Sequence, residues 1–254
     1  GTFVGAFAGE QVTTGAYNTA VGYNAGGGAS VDGSGNPTSS TAGSNTSVGH
    51  SALEAVTTGQ QNVAIGKNAG LAITEAQNNT LVGAYAADSL TTGDLNTAIG
   101  YKALETNTVG DRNTAVGYEA LRYLNPSSNV DMYNTALGFK AGFDVNTGVQ
   151  NTYIGTFSGE EATTGDGNVG VGYYSMGAIG RYAAYSITTG SDNTIVGRNA
   201  GYDLTSGNAN TLIGEHAGQN LTDSINNVAV GAHALNDATE GRFNVAVGVS
   251  ALYK

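Results

Sequence analysis

The chain has 254 residues and a net charge of −11, from 9 Lys and Arg against 20 Asp and Glu. That sign disfavours a nucleic-acid partner, whose counterions only Lys and Arg replace, and disfavours docking on anionic lipid. Charged residues are 11%, with 40 Gly and no Cys or Trp. This balance is unlike an ordinary globular enzyme, where charge runs near ~25%, and unlike a disordered chain, which is charge-rich and poor in aliphatics.

In chain order the first feature is a repeat, and it decides the architecture. A glycine recurs at Gly5, Gly22, Gly49, Gly66, Gly83, Gly100, Gly117, Gly138, Gly155, Gly172, Gly197, Gly214, Gly231 and Gly248. Ten of the thirteen intervals are 17 residues; the others, 27, 21 and 25, are the same unit lengthened by 10, 4 and 8. Each unit is numbered here from its glycine as position 0. Position −1 is always aliphatic, −3 is Thr in ten units and Val in four, and +3 is Ala in twelve and Ser in two. Position −4 is Asn in thirteen of the fourteen units, among them Asn18, Asn62, Asn96, Asn113, Asn151, Asn210 and Asn244.

β-Branched residues at −3 and −1 alternate with mostly small ones at −2 and 0, which is strand logic. No stretch sustains a helical period, and a glycine in every turn penalises helix. The spacing predicts an all-β parallel solenoid of fourteen coils, read as one repeat domain over residues 1–254. Each coil is expected to carry two short strands, near −4 to 0 and near +2 to +8, with Thr-Thr-Gly as the turn. Stacked Asn residues at −4 are expected to form a structural ladder that satisfies buried polar atoms. With about three large aliphatics per coil the core reads as thin, so association of chains is expected to supply missing burial.

Three insertions interrupt the unit, near 27–44, 122–133 and 177–186, all after +4. The second carries Arg122, Tyr123 and Tyr133; the third carries Arg181, Tyr182 and Tyr185. Tyr and Arg are favoured at binding hot spots, so these six are candidate receptor contacts, against the alternative of neutral loops that cost little to lengthen. Tyr101 and Tyr118, at +1 of adjacent coils, are further candidates on an aromatic edge.

The units Asn113-Thr-Ala-Val-Gly-Tyr-Glu-Ala-Leu121 and Asn96-Thr-Ala-Ile-Gly-Tyr-Lys-Ala-Leu104 resemble the head repeats of YadA-type trimeric autotransporter adhesins. They look still more like the longer-period version in bacteriophage tail fibres. The resemblance covers essentially the whole chain. It implies a left-handed parallel β-roll, a homotrimer, and extracellular display on a virion or a bacterial surface. The autotransporter repeat is usually shorter, and the stalk and membrane anchor of that family have no counterpart in this sequence. The chain opens within a repeat, at Gly1-Thr2-Phe3-Val4-Gly5, and reads as a piece of a longer fibre.

No catalytic constellation is visible, and the chain is not read as an enzyme. Gly165-Asp-Gly-Asn-Val-Gly170 fits a dinucleotide fingerprint, but its glycines are in repeat phase and no helix is expected after it. His216 and His233 should stack one coil apart, with Glu215 pointing the other way, so no metal site is read. No cofactor is expected, and no run of residues reads as a membrane-spanning helix. The functional expectation is a fibre or adhesin segment that attaches to a host-surface glycan or protein. The alternatives are a passive spacer and an ice-binding solenoid built on the Thr columns at +8 and +9.

Overall fold

A computed structural model describes residues 1–27, 40–175, 189–237 and 241–253. Among these residues the chain is all-β, a parallel β-solenoid with no helix. It divides into two compact units, Gly1–Asp131 and Met132–Lys254. The first holds β1 (Thr2–Val4), β2 (Thr19–Val21), β3 (Thr46–Val48), β4 (Val63–Ile65), β5 (Thr80–Val82), β6 (Thr97–Ile99) and β7 (Thr114–Val116). The second holds β8 (Thr135–Leu137), β9 (Thr152–Ile154), β10 (Val169–Val171), β11 (Thr194–Val196), β12 (Thr211–Ile213), β13 (Val228–Val230) and β14 (Val245–Val247).

Within each unit every strand pairs in parallel with the next, −3 against −3 and −1 against −1. Among the described residues each coil has one three-residue strand, with isolated parallel bridges outside it such as Val12 with Ser40 and Asn208 with Ile225. The second strand expected near +2 to +8 is not formed. That arc is a chain of turns, because the backbone is left-handed at +2 in all fourteen coils and at +4 in each described coil. Position −5 is left-handed too, and among the described residues no non-glycine residue has positive φ outside these three positions. Most residues there are not glycine: Phe7, Lys102, Glu119 and His216 at +2, Leu53 and Leu104 at +4, Leu95 and Arg112 at −5. Each carries a strain of about 1–2 kcal/mol that local propensity does not favour. The bonds between coils hold them in place, as in Lys102 N–H to Ala84 O at 3.1 Å and Leu104 N–H to Ala120 O at 3.0 Å.

The repeating glycine has φ near +135° at Gly100, and a Cβ there would lie 2.2 Å from the Gly117 carbonyl oxygen. Backbone crowding against the next coil, not a neighbouring side chain, reserves position 0 for glycine.

The strand faces are reversed relative to a naive reading of the aliphatic pattern. The small residue at −2 points into the coil, and the aliphatic at −1 points out. Ala64, Ala98, Ala115 and Ala136 are fully buried, whereas Ile99 is 38% and Leu137 48% exposed. The core is completed by +3, +4 and +7, among them Ala103, Leu104, Ile73 and Leu90. Positions −2 and +4 share one volume. Where −2 is large, +4 is small, as in Leu81 with Ala87, Tyr153 with Gly159, Ile195 with Gly201 and Leu212 with Gly218. Where −2 is small, +4 is often Leu, as in Ser47 with Leu53, Ala98 with Leu104, Ala115 with Leu121 and Ala229 with Leu235. Ala64 with Gly70, Ala136 with Gly142 and Ala20 with Gly26 fill neither position; beside Gly70 the side chains of Leu53 and Leu81 from the adjacent coils take the space, and beside Ala20 a void of about 10 Å³ lies among Phe3, Ala42, Ser47 and Val56. Tyr153 is the extreme case: the next coil shrinks to Gly170 beside it, and Ser158 and Ser175 replace Ala at +3. Its buried hydroxyl lies beside the Asn168 amide without a hydrogen bond of normal geometry, and burial pushes its pKa up.

Asparagines at −4 make two kinds of bond. The side-chain N–H closes its own coil on the +10 carbonyl: Asn62 to Ala76 at 2.7 Å, Asn96 to Gly110 at 2.9 Å, Asn151 to Gly165 at 2.8 Å, Asn210 to Ser224 at 2.7 Å. Asn18 reaches Ala42 O at 2.7 Å across the first insertion. The side-chain oxygen accepts from the next coil's asparagine: Asn113 donates its backbone and side-chain N–H to Asn96 Oδ1 at 2.9 and 3.0 Å, and Asn244 does the same to Asn227 Oδ1 at 3.1 and 3.0 Å. Except for half-buried Asn244 these amides are buried, so each bond also averts the cost of an orphaned polar group.

Candidate interaction surfaces

Two surfaces stand out. The first is the outer face of the strands in each unit. It is formed by −3 and −1, twenty-eight positions over the two units, and every one is Thr, Val, Ile or Leu. None of the chain's 9 cationic and 20 acidic residues falls on it. Val21, Ile65, Ile99, Leu137, Ile154 and Ile213 are exposed there. Solvated sheet faces ordinarily carry charge; an uncharged, aliphatic one repeated coil after coil is the kind of patch that marks an interaction site.

The second is the edge at +1 and +2. In the first unit Tyr101 and Tyr118 stack, with ring centroids 5.2 Å apart and 20° between planes, and Tyr85 meets Tyr101 edge-on at 6.0 Å. The ammonium groups of Lys67 and Lys102 lie 5.5 and 5.9 Å from the Tyr85 ring, within cation–π range. Phe7, Tyr23 and His50 form a similar column. In the second unit Phe157 stacks on Tyr174 at 4.7 Å and meets Phe139 edge-on at 5.3 Å.

Arg122 and Tyr123 sit side by side, with the guanidinium 5.1 Å from the ring. Arg122 is already held: its Nε donates to Glu105 Oε2 at 2.5 Å and its Nη1 to Glu119 Oε1 at 2.8 Å, while Lys102 pairs with Glu105 at 2.7 Å. Burial works to raise the Glu105 carboxyl, but hydrogen bonds from Lys102 and Arg122 outweigh it and hold it below its usual range. The second insertion is tied down as well. Leu124 is buried at +7, Thr108 Oγ1 donates to Asn125 Oδ1 at 2.8 Å, and Arg112 pairs with Asp131. Tyr133 belongs to the second unit, where it is exposed at position −5 with φ 54°. The structure thus brings together Tyr101 with Tyr118 and Arg122 with Tyr123. Arg181, Tyr182 and Tyr185, with the whole third insertion, lie outside the described residues, as does most of the first.

His216 and His233 stack at 5.0 Å with 6° between planes. Glu215 departs from the expectation that it points away. Its carboxylate lies 3.7 Å from His216 Nε2 and pairs with Arg198. The alternation of a strand does not apply across +1 and +2, because +2 is left-handed. Among the described residues no group of three or more His, Cys, Asp or Glu is placed to hold a metal ion, and no helix is long and apolar enough to cross a membrane. The Gly165–Gly170 stretch follows the repeat, with Val169 at the start of β10.

Sequence reading missed the uncharged face as a surface, although the absence of charge from −3 and −1 was there to be counted. It also missed the pairing of Glu105 with Arg122, two residues that share position +5. Comparison with protein-family models finds no match, and comparison with curated proteins finds none.

Proposed function

We propose that this chain is a segment of an extracellular fibre or adhesin, on a virion or a bacterial surface, in which copies of the chain associate as a homotrimer. The outer strand face carries this reading. An array of Thr, Val, Ile and Leu free of charge is costly to leave in water, at roughly 25 cal/mol per Å² of apolar surface. A second and third copy of the same face cover it with matching repeat spacing, as closed symmetry requires. The resemblance to YadA-type head repeats supports three chains and a left-handed roll. The aromatic edge with Tyr101 and Tyr118, together with Tyr123 beside Arg122, is then the surface turned to a host glycan or protein; no nucleic acid, cofactor, catalytic step or membrane insertion enters this reading.

The ice-binding alternative loses support at +8, where the Thr hydroxyls are engaged. Thr57, Thr74 and Thr91 each donate to the carbonyl of the next coil's threonine, at 3.0, 3.3 and 2.9 Å.

Light scattering on the purified chain is expected to give about three times the 25.5 kDa chain mass. The double variant Ile65→Lys, Ile99→Lys is expected to dissociate while its circular dichroism stays that of the wild type. A stable monomer of the wild type, or a double variant that still sediments as the wild type does, would sink the proposal.

A further inference from the structure

We infer that Tyr101 and Tyr118 form a site of oxidative coupling, at which a one-electron oxidant joins two adjacent coils through a dityrosine bond. Three observations carry this, and none rests on the fibre reading. First, the pair is stacked and in register. β6 and β7 pair residue for residue, Thr97 with Thr114 and Ile99 with Val116, so the two rings two residues further on stand one over the other, 5.2 Å apart and 20° from parallel. Two nearly parallel phenol rings at this separation need only a small shift to bring together the ring carbons next to each hydroxyl, which are the ones that couple. Three further close tyrosine pairs are edge-on: Tyr85 with Tyr101 at 83°, Tyr173 with Tyr174 at 89°, Tyr174 with Tyr202 at 77°. The stacked Phe157 and Tyr174 lack a second phenol.

Second, both rings are reachable, with Tyr101 39% and Tyr118 43% exposed. Third, composition directs oxidation to tyrosine. The chain has 14 Tyr and neither Cys nor Trp, the side chains that otherwise take the first electron loss. Of its two methionines, Met132 is fully buried, and Met176 lies outside the described residues. Without cysteine, coupled tyrosine is the covalent staple these side chains permit.

The chemistry balances with a haem peroxidase and hydrogen peroxide as oxidant. Each phenol gives up one electron and one proton and becomes a phenoxyl radical. The radicals join through the two ortho carbons, and the hydrogen on each of those carbons moves to the oxygen as aromaticity returns. Two electrons and two protons in all pass to one peroxide, which leaves as two waters. The product closes a loop between residues 17 apart and ties the coil of Tyr101 to that of Tyr118.

The test treats the full chain with peroxidase and hydrogen peroxide, then maps cross-linked peptides by mass spectrometry. The expected product joins the Tyr101 and Tyr118 peptides, two hydrogens lighter than their sum, in a yield that does not change on dilution. Held in contact, this pair should be on the order of tenfold more abundant than any other. Tyr101→Phe and Tyr118→Phe, which keep the stack, should each abolish it, and Tyr173→Phe should leave it intact. The oxidised wild type should unfold more slowly in denaturant than the oxidised Tyr118→Phe chain. Coupling spread over the edge-on pairs, dityrosine formed only between separate chains, or a fluorescence yield unchanged in Tyr118→Phe would overturn the inference.

Discussion

Leu81 at −2 and Ala87 at +4 occupy the same space inside one coil, as Ala98 and Leu104 do in the next but with the sizes exchanged. The exchange works because −2 enters from the strand and +4 from the left-handed turn. Leu at +4 is already accommodated at φ 55° in Leu104, close to the φ 47° of Ala87. A buried Leu→Ala change costs about 2–5 kcal/mol. Leu81→Ala is therefore expected to lower stability by about that much, and adding Ala87→Leu should restore most of it, to within about 1.5 kcal/mol of the wild type. Urea titration of the two variants checks this. If Ala87→Leu on the Leu81→Ala background deepens the loss, the two positions do not share a volume. The void beside Ala20 and Gly26 is the same rule unfilled.

At the level of the element, each coil is one short strand and a long arc of turns, and parallel stacking sets like residues over like. For aliphatics this is favourable; for carboxylates it is not. Burial first, and the neighbouring Glu105 second, push the Asp88 carboxyl up; burial and then Asp144 do so for Glu161; burial acts alone on Asp203. Asp111 and Asp144 are raised as well, chiefly by burial. A carboxyl whose folded pKa stands above its unfolded value binds its proton more tightly in the fold, so stability rises as pH falls through the folded pKa. Glu105 and Glu215 run the other way, since their folded pKa values are lowered and their contribution is lost as pH falls through those values. Five raised groups against two lowered ones, on a chain of net −11, predict a melting temperature that climbs on going from pH 7 to about pH 5, before the lowered pair titrates. Thermal melts across that range decide it; a midpoint that falls steadily on mild acidification would contradict the reading. Asp144→Asn should reduce the climb.

Much of the element was legible in the sequence. The strand at −3 to −1 follows from alternation, and Asn at −4, Gly at 0 and Ala at +3 follow from their recurrence. The arc was not legible, because Val, Ile, Leu and Thr at +7 and +8 imitate a strand. Left-handed backbone at +2 is carried by Phe, Tyr, Lys and His as readily as by Asn, residue types that do not announce it. The direction of −1 was obscured by the usual rule that aliphatics face inward. Arg122 looked like a contact residue by type, yet its partner Glu105 is supplied by the stacking, which no single unit displays, and Glu119 lies three residues before it in its own coil.

At the scale of the molecule, stability within each unit is distributed coil by coil, since a coil there is bonded to its neighbours and to little else. Deleting Gly83–Ile99 removes 17 residues and joins Val82 to Gly100 in phase. The shortened chain is expected to fold, with a calorimetric enthalpy lower by about 0.7 kcal/mol per residue removed. An insoluble or unfolded product would show that the coils of the first unit are not interchangeable. The asparagine column has a further property, which is direction. In the links within each unit the acceptor is the earlier residue and the donors are the later one: Asn45 Oδ1 receives Asn62, Asn62 Oδ1 receives Asn79, and Asn193 Oδ1 receives Asn210. A ribosome makes these residues in that same order. By the time an asparagine's donors emerge, the oxygen they require is already in place on the coil translated before it. The side-chain ladder can thus be assembled at the pace of synthesis, each finished coil serving as the template for the next.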